Sequence, residues 1–133
     1  MRITHEADYA IRVLYNLAIT NEKLSAKKIS EGTGVTLRFA LKILRKLIGC
    51  NMVCSFKGVN GGYMLNRAPK DISLGEIIEC IDGPIAINHC LTNEFACAGA
   101  SQDGDCHFHQ VFQDINAHFR KELYSVTLDQ FIY

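Results

Sequence analysis

The stretch TLRFALKILRKLIGCNMVCSFKGVNGGYML, residues 36–65, decides the fold. Thr36 is a favoured helix N-cap residue, and LRFALKILRKLIG after it repeats with helical period to about Gly49. Ala40, Leu44 and Leu47 mark an apolar face, while Arg38, Lys42 and Arg45 mark a cationic one at the same period. VCSFK (53–57), GVNGG (58–62) and YML (63–65) then read as strand, turn and strand. The glycines and Asn60 of that turn tolerate left-handed backbone, as a tight hairpin requires.

Working backward, EADYAIRVLYNLAIT (6–20) places Ala7, Ala10, Ile11, Leu14, Leu17 and Ala18 on one helical face. Thr4 or His5 precedes it, and Glu6 and Asp8 fall in its first turn, where the helix dipole favours acids. After a turn at NEKL (21–24), Ser25 caps a short helix, AKKISEGT, that ends near Gly32 and Gly34. Two helices joined by a short glycine-containing turn, the second basic, form a helix-turn-helix pattern, and the hairpin behind them adds a wing. Lys57 stands at the mouth of the wing, with Arg67 and Lys70 beyond it. A slim tip at Asn60 and Gly61 with a cation at its base suits DNA backbone or minor groove.

Working forward, Ser73 caps LGEIIECID, which Gly83 and Pro84 terminate. A long helix starts near His107, with Phe108, Val111, Phe112, Ile115, Phe119 and Leu123 as a continuous apolar seam suited to a second copy of the chain. The expected architecture is mainly α with a small β-hairpin: a winged helix-turn-helix domain plus a long C-terminal dimerisation helix. Three segments are expected: a DNA-binding domain over 1–83, a cysteine-rich loop over 84–106, and a dimerisation helix and tail over 107–133.

Charge supports the assignment. The 133 residues sum to a formal charge of zero, yet residues 1–70 hold 12 Lys and Arg against 4 Asp and Glu, and residues 71–133 hold 2 against 10. A basic half that meets a polyanion and an acidic half with another task explain such a split. No apolar run approaches the ~20 residues of a membrane span, and the N-terminus lacks a signal-peptide core. A cytoplasmic protein with reduced thiols is therefore expected. Enzyme chemistry is not expected, because no nucleophile–base constellation is present and GVNGG lacks the Lys-Ser/Thr of a phosphate loop.

NHCLTNEFACAGASQDGDCHFH (88–109) concentrates Cys90, Cys97 and Cys106 with His107 and His109 in a polar, irregular stretch. Structural zinc sites usually contain a tight Cys-x2–4-Cys pair, which this loop lacks, although Cys106 and His109 keep zinc possible in principle. Wide spacing suits a larger object such as an iron–sulfur cluster, with His109, His107, Asp8 or Glu6 as a fourth ligand. Unligated or redox-active thiols are the alternative. Cys50, Cys54 and Cys80 stand outside the loop and read as buried structural thiols.

MRITHEADYAIRVLYNLA, KGVNGGYML and APKDISLGEIIECIDGPI together resemble the Rrf2 family of winged-helix regulators, over essentially the whole chain. The resemblance implies a homodimeric bacterial transcription factor, usually a repressor, acting on a double-stranded DNA operator. In many members three loop cysteines hold a [2Fe-2S] or [4Fe-4S] cluster that reports iron, redox or nitric oxide status. Cys90, Cys97 and Cys106 match those cysteines. His109 matches the fourth ligand of IscR-like members, and Asp8 that of NsrR-like members. Thr36, Arg38, Lys42, Arg45, Lys57, Asn60 and Gly61 are the expected DNA contacts. Lys57 stands where IscR-like members have a wing arginine, and Leu41 where they have an acid. A cluster-free thiol-redox or zinc-responsive regulator of the same fold is the alternative.

Overall fold

Thr4, Ser25, Thr36 and Ser73 each accept a hydrogen bond from the backbone N–H three residues on, and each opens a helix. These bonds satisfy N–H groups that the helix itself leaves unpaired. The computed structural model describes residues 2–92 and 106–132. Its helices are α1 (His5–Thr20), α2 (Ala26–Thr33), α3 (Leu37–Gly49), α4 (Leu74–Asp82) and α5 (His107–Ser125). Strands β1 (Val53–Phe56) and β2 (Gly62–Leu65) form an antiparallel hairpin with Val53 opposite Leu65 and Phe56 opposite Gly62. The predominantly helical fold with one hairpin is the expected one.

Left-handed residues stop the helices where the chain must turn: Asn21 (φ 50°) after α1 and Gly34 (φ 73°) after α2. In the wing, Gly58 rather than Asn60 takes the left-handed conformation, at φ 103°. Leu24 pairs with Tyr63 through two backbone hydrogen bonds of 2.8 and 3.0 Å, so a single bridge ties the segment before α2 to the hairpin.

Ala7, Ala10, Val13, Leu14 and Leu17 of α1 pack with Ile29 of α2, with Ala40, Ile43, Leu44 and Leu47 of α3, and with Ile77, Ile78 and Ile81 of α4. Ile85 and Leu128 join the same core, so it draws on residues beyond 83. Leu128 arrives because the chain after α5 turns back: the Leu74 N–H donates to the Val126 carbonyl (2.9 Å) and the Leu128 N–H to the Ile72 carbonyl (3.0 Å). On α5 the apolar seam divides. Phe119 and Leu123 lie against the core, whereas Phe108, Val111 and Ile115 remain exposed.

One sequence expectation needs correction. Cys50 and Cys80 are not separate buried thiols; they form a disulfide, because the C-cap of α3 and the face of α4 approach with Cα atoms 6.3 Å apart. Arg67, beyond the wing, is engaged within the chain. Its guanidinium donates to the carbonyls of Asn51 (3.2 Å) and Asp71 (3.3 Å) and to Glu76 Oε1 (2.7 Å), tying the wing base to α4.

Candidate nucleic-acid interface and cysteine loop

With one face of α3 committed to the core, the face left in solvent carries Arg38, Leu41, Lys42 and Arg45. No acidic residue occurs anywhere in the helix. The three cations differ in their surroundings. Lys42 Nζ lies 3.7 Å from Glu6 Oε1 and 5.7 Å above the centre of the Phe39 ring. Arg38 and Arg45 have no ion-pair partner among the described residues. Thr36 is exposed, and its hydroxyl accepts the Phe39 N–H at 3.3 Å, so capping is its local task.

Glu6 braces α3 from α1. Its carboxylate receives the Lys46 ammonium at 2.8 Å as well as Lys42. The hydrogen bond from Lys46 holds the Glu6 carboxyl below the ordinary carboxylate range, overcoming the upward push of desolvation. Asp8, two residues on, is half-exposed and paired with Arg12 at 3.1 Å. Both acids named as ligand alternatives are thus already ion-paired within the chain. An aromatic chain follows the same edge, with Tyr9 stacked on His5 and meeting Phe39 edge-on at 5.8 Å.

The wing projects Lys57, Val59 and Asn60 into solvent. Gly61 serves the turn itself: its N–H donates to the Gly58 carbonyl at 3.0 Å, and a Cβ there would lie 2.3 Å from the Phe56 carbonyl oxygen. Its requirement is therefore steric, whatever the wing touches. Lys23 covers the exposed Phe56 ring at 4.9 Å and adds a cation to the wing's flank.

In the ligand-rich segment, Cys90 sits on a short 3-10 turn, His89–Leu91, that packs against α5. Cys106 is the N-cap residue of α5 and makes no side-chain capping bond, so its thiol is not spent on the helix. His109, half-buried, follows within the first turn and shares that end of the helix. Cys97 lies outside the described residues. Among the described residues no three metal-ligating side chains are gathered into one group. The donor types nevertheless suit a thiophilic centre, with two half-buried free thiols on elements in mutual contact and an imidazole one turn away.

Sequence reasoning missed the residues that hold this segment. The Asn116 carboxamide of α5 accepts the Ile87 N–H and donates to the Ile85 carbonyl, both at 2.9 Å. Glu79 of α4 accepts the Ile85 N–H at 2.9 Å, Arg120 at 2.8 and 3.0 Å, and the Tyr124 hydroxyl. Desolvation pushes the Glu79 carboxyl upward, but the bonds from Arg120, Tyr124 and Ile85 outweigh it and leave it below the ordinary range. Helix period alone marks Asn116 and Glu79 as polar positions beside an apolar seam, and nothing local names their distant partners, 29 to 45 residues away.

Comparison with known proteins extends over nearly the same residues. Residues 3–133 match the Rrf2 family, described as iron-dependent transcriptional regulators. The chain is 31% identical over 137 residues to a protein named HTH-type transcriptional regulator rrf2-like of Rhodobacter capsulatus, covering 98% of this chain and 91% of that one. It is 25% identical over 134 residues to the HTH-type transcriptional regulator IscR of Pectobacterium carotovorum, covering 99% of this chain and 79% of that one. In fold it resembles CymR, the global cysteine regulator of B. subtilis, with a TM-score of 0.76 at 22% identity over 97% of this chain and 94% of that one. No helix among the described residues is long and apolar enough to cross a membrane.

Proposed function

This chain belongs to the Rrf2 family of DNA-binding transcriptional regulators, not enzymes, and on that premise we propose that it is a homodimeric, cytoplasmic repressor sensing iron, redox or nitric oxide status through an iron–sulfur cluster. Residues 1–83 are the reading head, 84–106 the sensing loop, and 107–133 the dimerisation element. The observation that carries the DNA half is the acid-free outer face of α3, where Arg38 and Arg45 stand without ion-pair partners among the described residues. Two such helices on a two-fold axis enter successive major grooves, with Thr36 and Lys42 beside the arginines and Lys57, Asn60 and Gly61 of each wing on flanking backbone or minor groove. Phosphate contacts set affinity and make it salt-dependent. The exposed Phe108, Val111 and Ile115 give the dimer its apolar surface.

Cys90, Cys97 and Cys106 would hold the cluster, with His109 as the fourth ligand from the same chain and Asp8 from a second copy as its competitor. The position of His109 at the Cys106 end of α5 favours it, and the Asp8–Arg12 pair disfavours Asp8. A bound cluster would supply one-electron redox chemistry and sensitivity to oxidants. The chain's own residues provide the route to the reading head. Asn116 and Glu79 fasten 85–87 to α5 and α4, and α4 is joined to the end of α3 through Cys80 and Cys50. A coupling of about 1–3 kcal/mol along such a route changes operator occupancy several-fold or more.

The second reading, a cluster-free thiol-redox or zinc-responsive regulator, is favoured by the Cys50–Cys80 bond. Its two-electron step converts two thiols to one disulfide, with hydrogen peroxide as oxidant reduced to two waters. Strictly anaerobic purification with iron and acid-labile sulfide analysis separates the readings. Matched iron and sulfide, with visible absorbance lost in Cys97→Ala, supports the cluster. A colourless protein free of sulfide after reconstitution leaves the thiol or zinc reading.

A further inference from the structure

Leu37 and Leu41 lie one turn apart on α3, 46% and 41% exposed. Leu41 is also within one turn of Arg38 and of Arg45, so the leucines run as a ridge along one flank of the cations. On the opposite flank Phe39 meets Tyr9 edge-on while staying 40% exposed, and Lys46 meets Glu6. Leu37, Arg38, Phe39, Leu41, Lys42 and Arg45 together line one shallow groove along the helix.

One exposed leucine needs no explanation. Two in successive turns, beside three cations and with no acid on the helix, describe a surface for a particular partner. It must be anionic at its edges and present small apolar groups between them. Duplex DNA answers to this in the major groove, where the C5-methyl of thymine is the apolar mark on a base edge and phosphates line both rims. A protein helix would satisfy the leucines, but the unpaired Arg38 and Arg45 would then need carboxylates placed among them. The charge complementarity favours DNA.

We propose that Leu37 and Leu41 are specificity-determining residues that read thymine methyl groups in the major groove, making the preferred operator thymine-dependent beneath the N-terminal half of α3. The inference rests on the DNA-binding reading of the same helix and adds the chemistry by which sequence is chosen there. Arg38, Lys42 and Arg45 hold the backbone and polar base edges, and the leucine ridge selects the methyl-bearing positions.

The test begins with selection of a preferred duplex from a random library by the full-length chain. Each thymine of that duplex is then replaced singly by 2′-deoxyuridine, which removes only the methyl group. At one or two positions per half-site, binding should weaken about three- to four-fold, the effect of one buried methyl group. A Leu37→Ala, Leu41→Ala double variant should bind the thymine and uracil duplexes equally at those positions. Both leucines are exposed, and far-ultraviolet circular dichroism of the variant reports whether it remains folded. Selective, salt-sensitive binding that ignores every thymine-to-uracil change would overturn the inference while leaving the DNA-binding reading intact. So would a double variant that weakens both duplexes alike. Failure of the library to enrich any sequence would remove the reading and the inference together.

Discussion

Cys50, which closes α3, is bonded to Cys80 on α4, 30 residues later in the chain. The bond joins the end of the helix proposed to face DNA to the helix from which the cysteine loop departs. It also encloses the whole wing within its loop. By the chain-entropy account, closing about 30 residues stabilises the fold by about 3–4 kcal/mol. Guanidinium unfolding with and without reductant should show that difference, and Cys80→Ser should match the reduced protein. Titration of six free thiols in denatured protein prepared without reductant would show that the bond does not form.

Arg38 and Arg45 should govern DNA affinity more than Lys42. Each removed phosphate contact lowers the slope of log K against log salt by about 0.9, twice that for a symmetric dimer. Arg38→Ala and Arg45→Ala should show this loss, whereas Lys42→Ala should show less because Glu6 already shares its charge. Glu6→Gln should tighten binding at low salt by releasing Lys42. Equal slopes for all three alanine variants would contradict this ordering.

Gly75 of α4 faces the Tyr124 ring so closely that a Cβ would fall 2.2 Å from a ring carbon. Gly75→Ala must displace Tyr124, and with it the hydroxyl that bonds Glu79. A destabilisation of about 1–3 kcal/mol is expected from overpacking, partly offset by the better helix propensity of alanine. An unchanged melting temperature would mean that α4 and α5 are not held this close.

Asn116→Ala removes the donor and the acceptor that pin Ile85 and Ile87. Leaving those backbone groups unpaired should cost about 1–3 kcal/mol. Hydrogen exchange should quicken over residues 84–92, and any metal centre should be lost faster from the variant. Unaltered exchange in that segment would remove Asn116 from its assigned role.

Glu6 and Glu79 should together make the fold acid-sensitive. Both carboxyls are held below the ordinary value of 4.5 in the folded chain. A group with a depressed folded pKa binds more protons when unfolded, so its stabilisation is present above 4.5 and is lost as pH falls through 4.5 and the lower folded value. Thermal melts across that window should fall more steeply for the native chain than for a Glu6→Gln, Glu79→Gln double variant. Parallel profiles would show that neither carboxylate controls acid unfolding.

The local elements were legible because their causes are local. A Thr or Ser oxygen reaches an N–H three residues away, so Thr4, Ser25, Thr36 and Ser73 announce their helices, and α2 and α3 begin where those caps place them. The glycine-rich turn between two short apolar runs announces the wing, and alternation of cations with core residues announces the two faces of α3. The concentration of cysteines and histidines over 88–109 was likewise visible in the sequence, and the cluster proposed for it rests on that pattern.

What only the tertiary structure decided depends on where separate elements cross. Cys50 and Cys80 look like two ordinary apolar-face thiols until α3 and α4 bring their Cα atoms within 6.3 Å. Arg67 looks like a wing cation until Asn51, Asp71 and Glu76 surround it. The uniform seam of α5 is divided into a docked half and an open half only because α4 packs against one end of it. Periodicity specifies which face of an element is apolar, and the crossing of elements specifies which part of that face another element reaches. That second quantity is set by contacts distant in sequence, so it is absent from any local pattern.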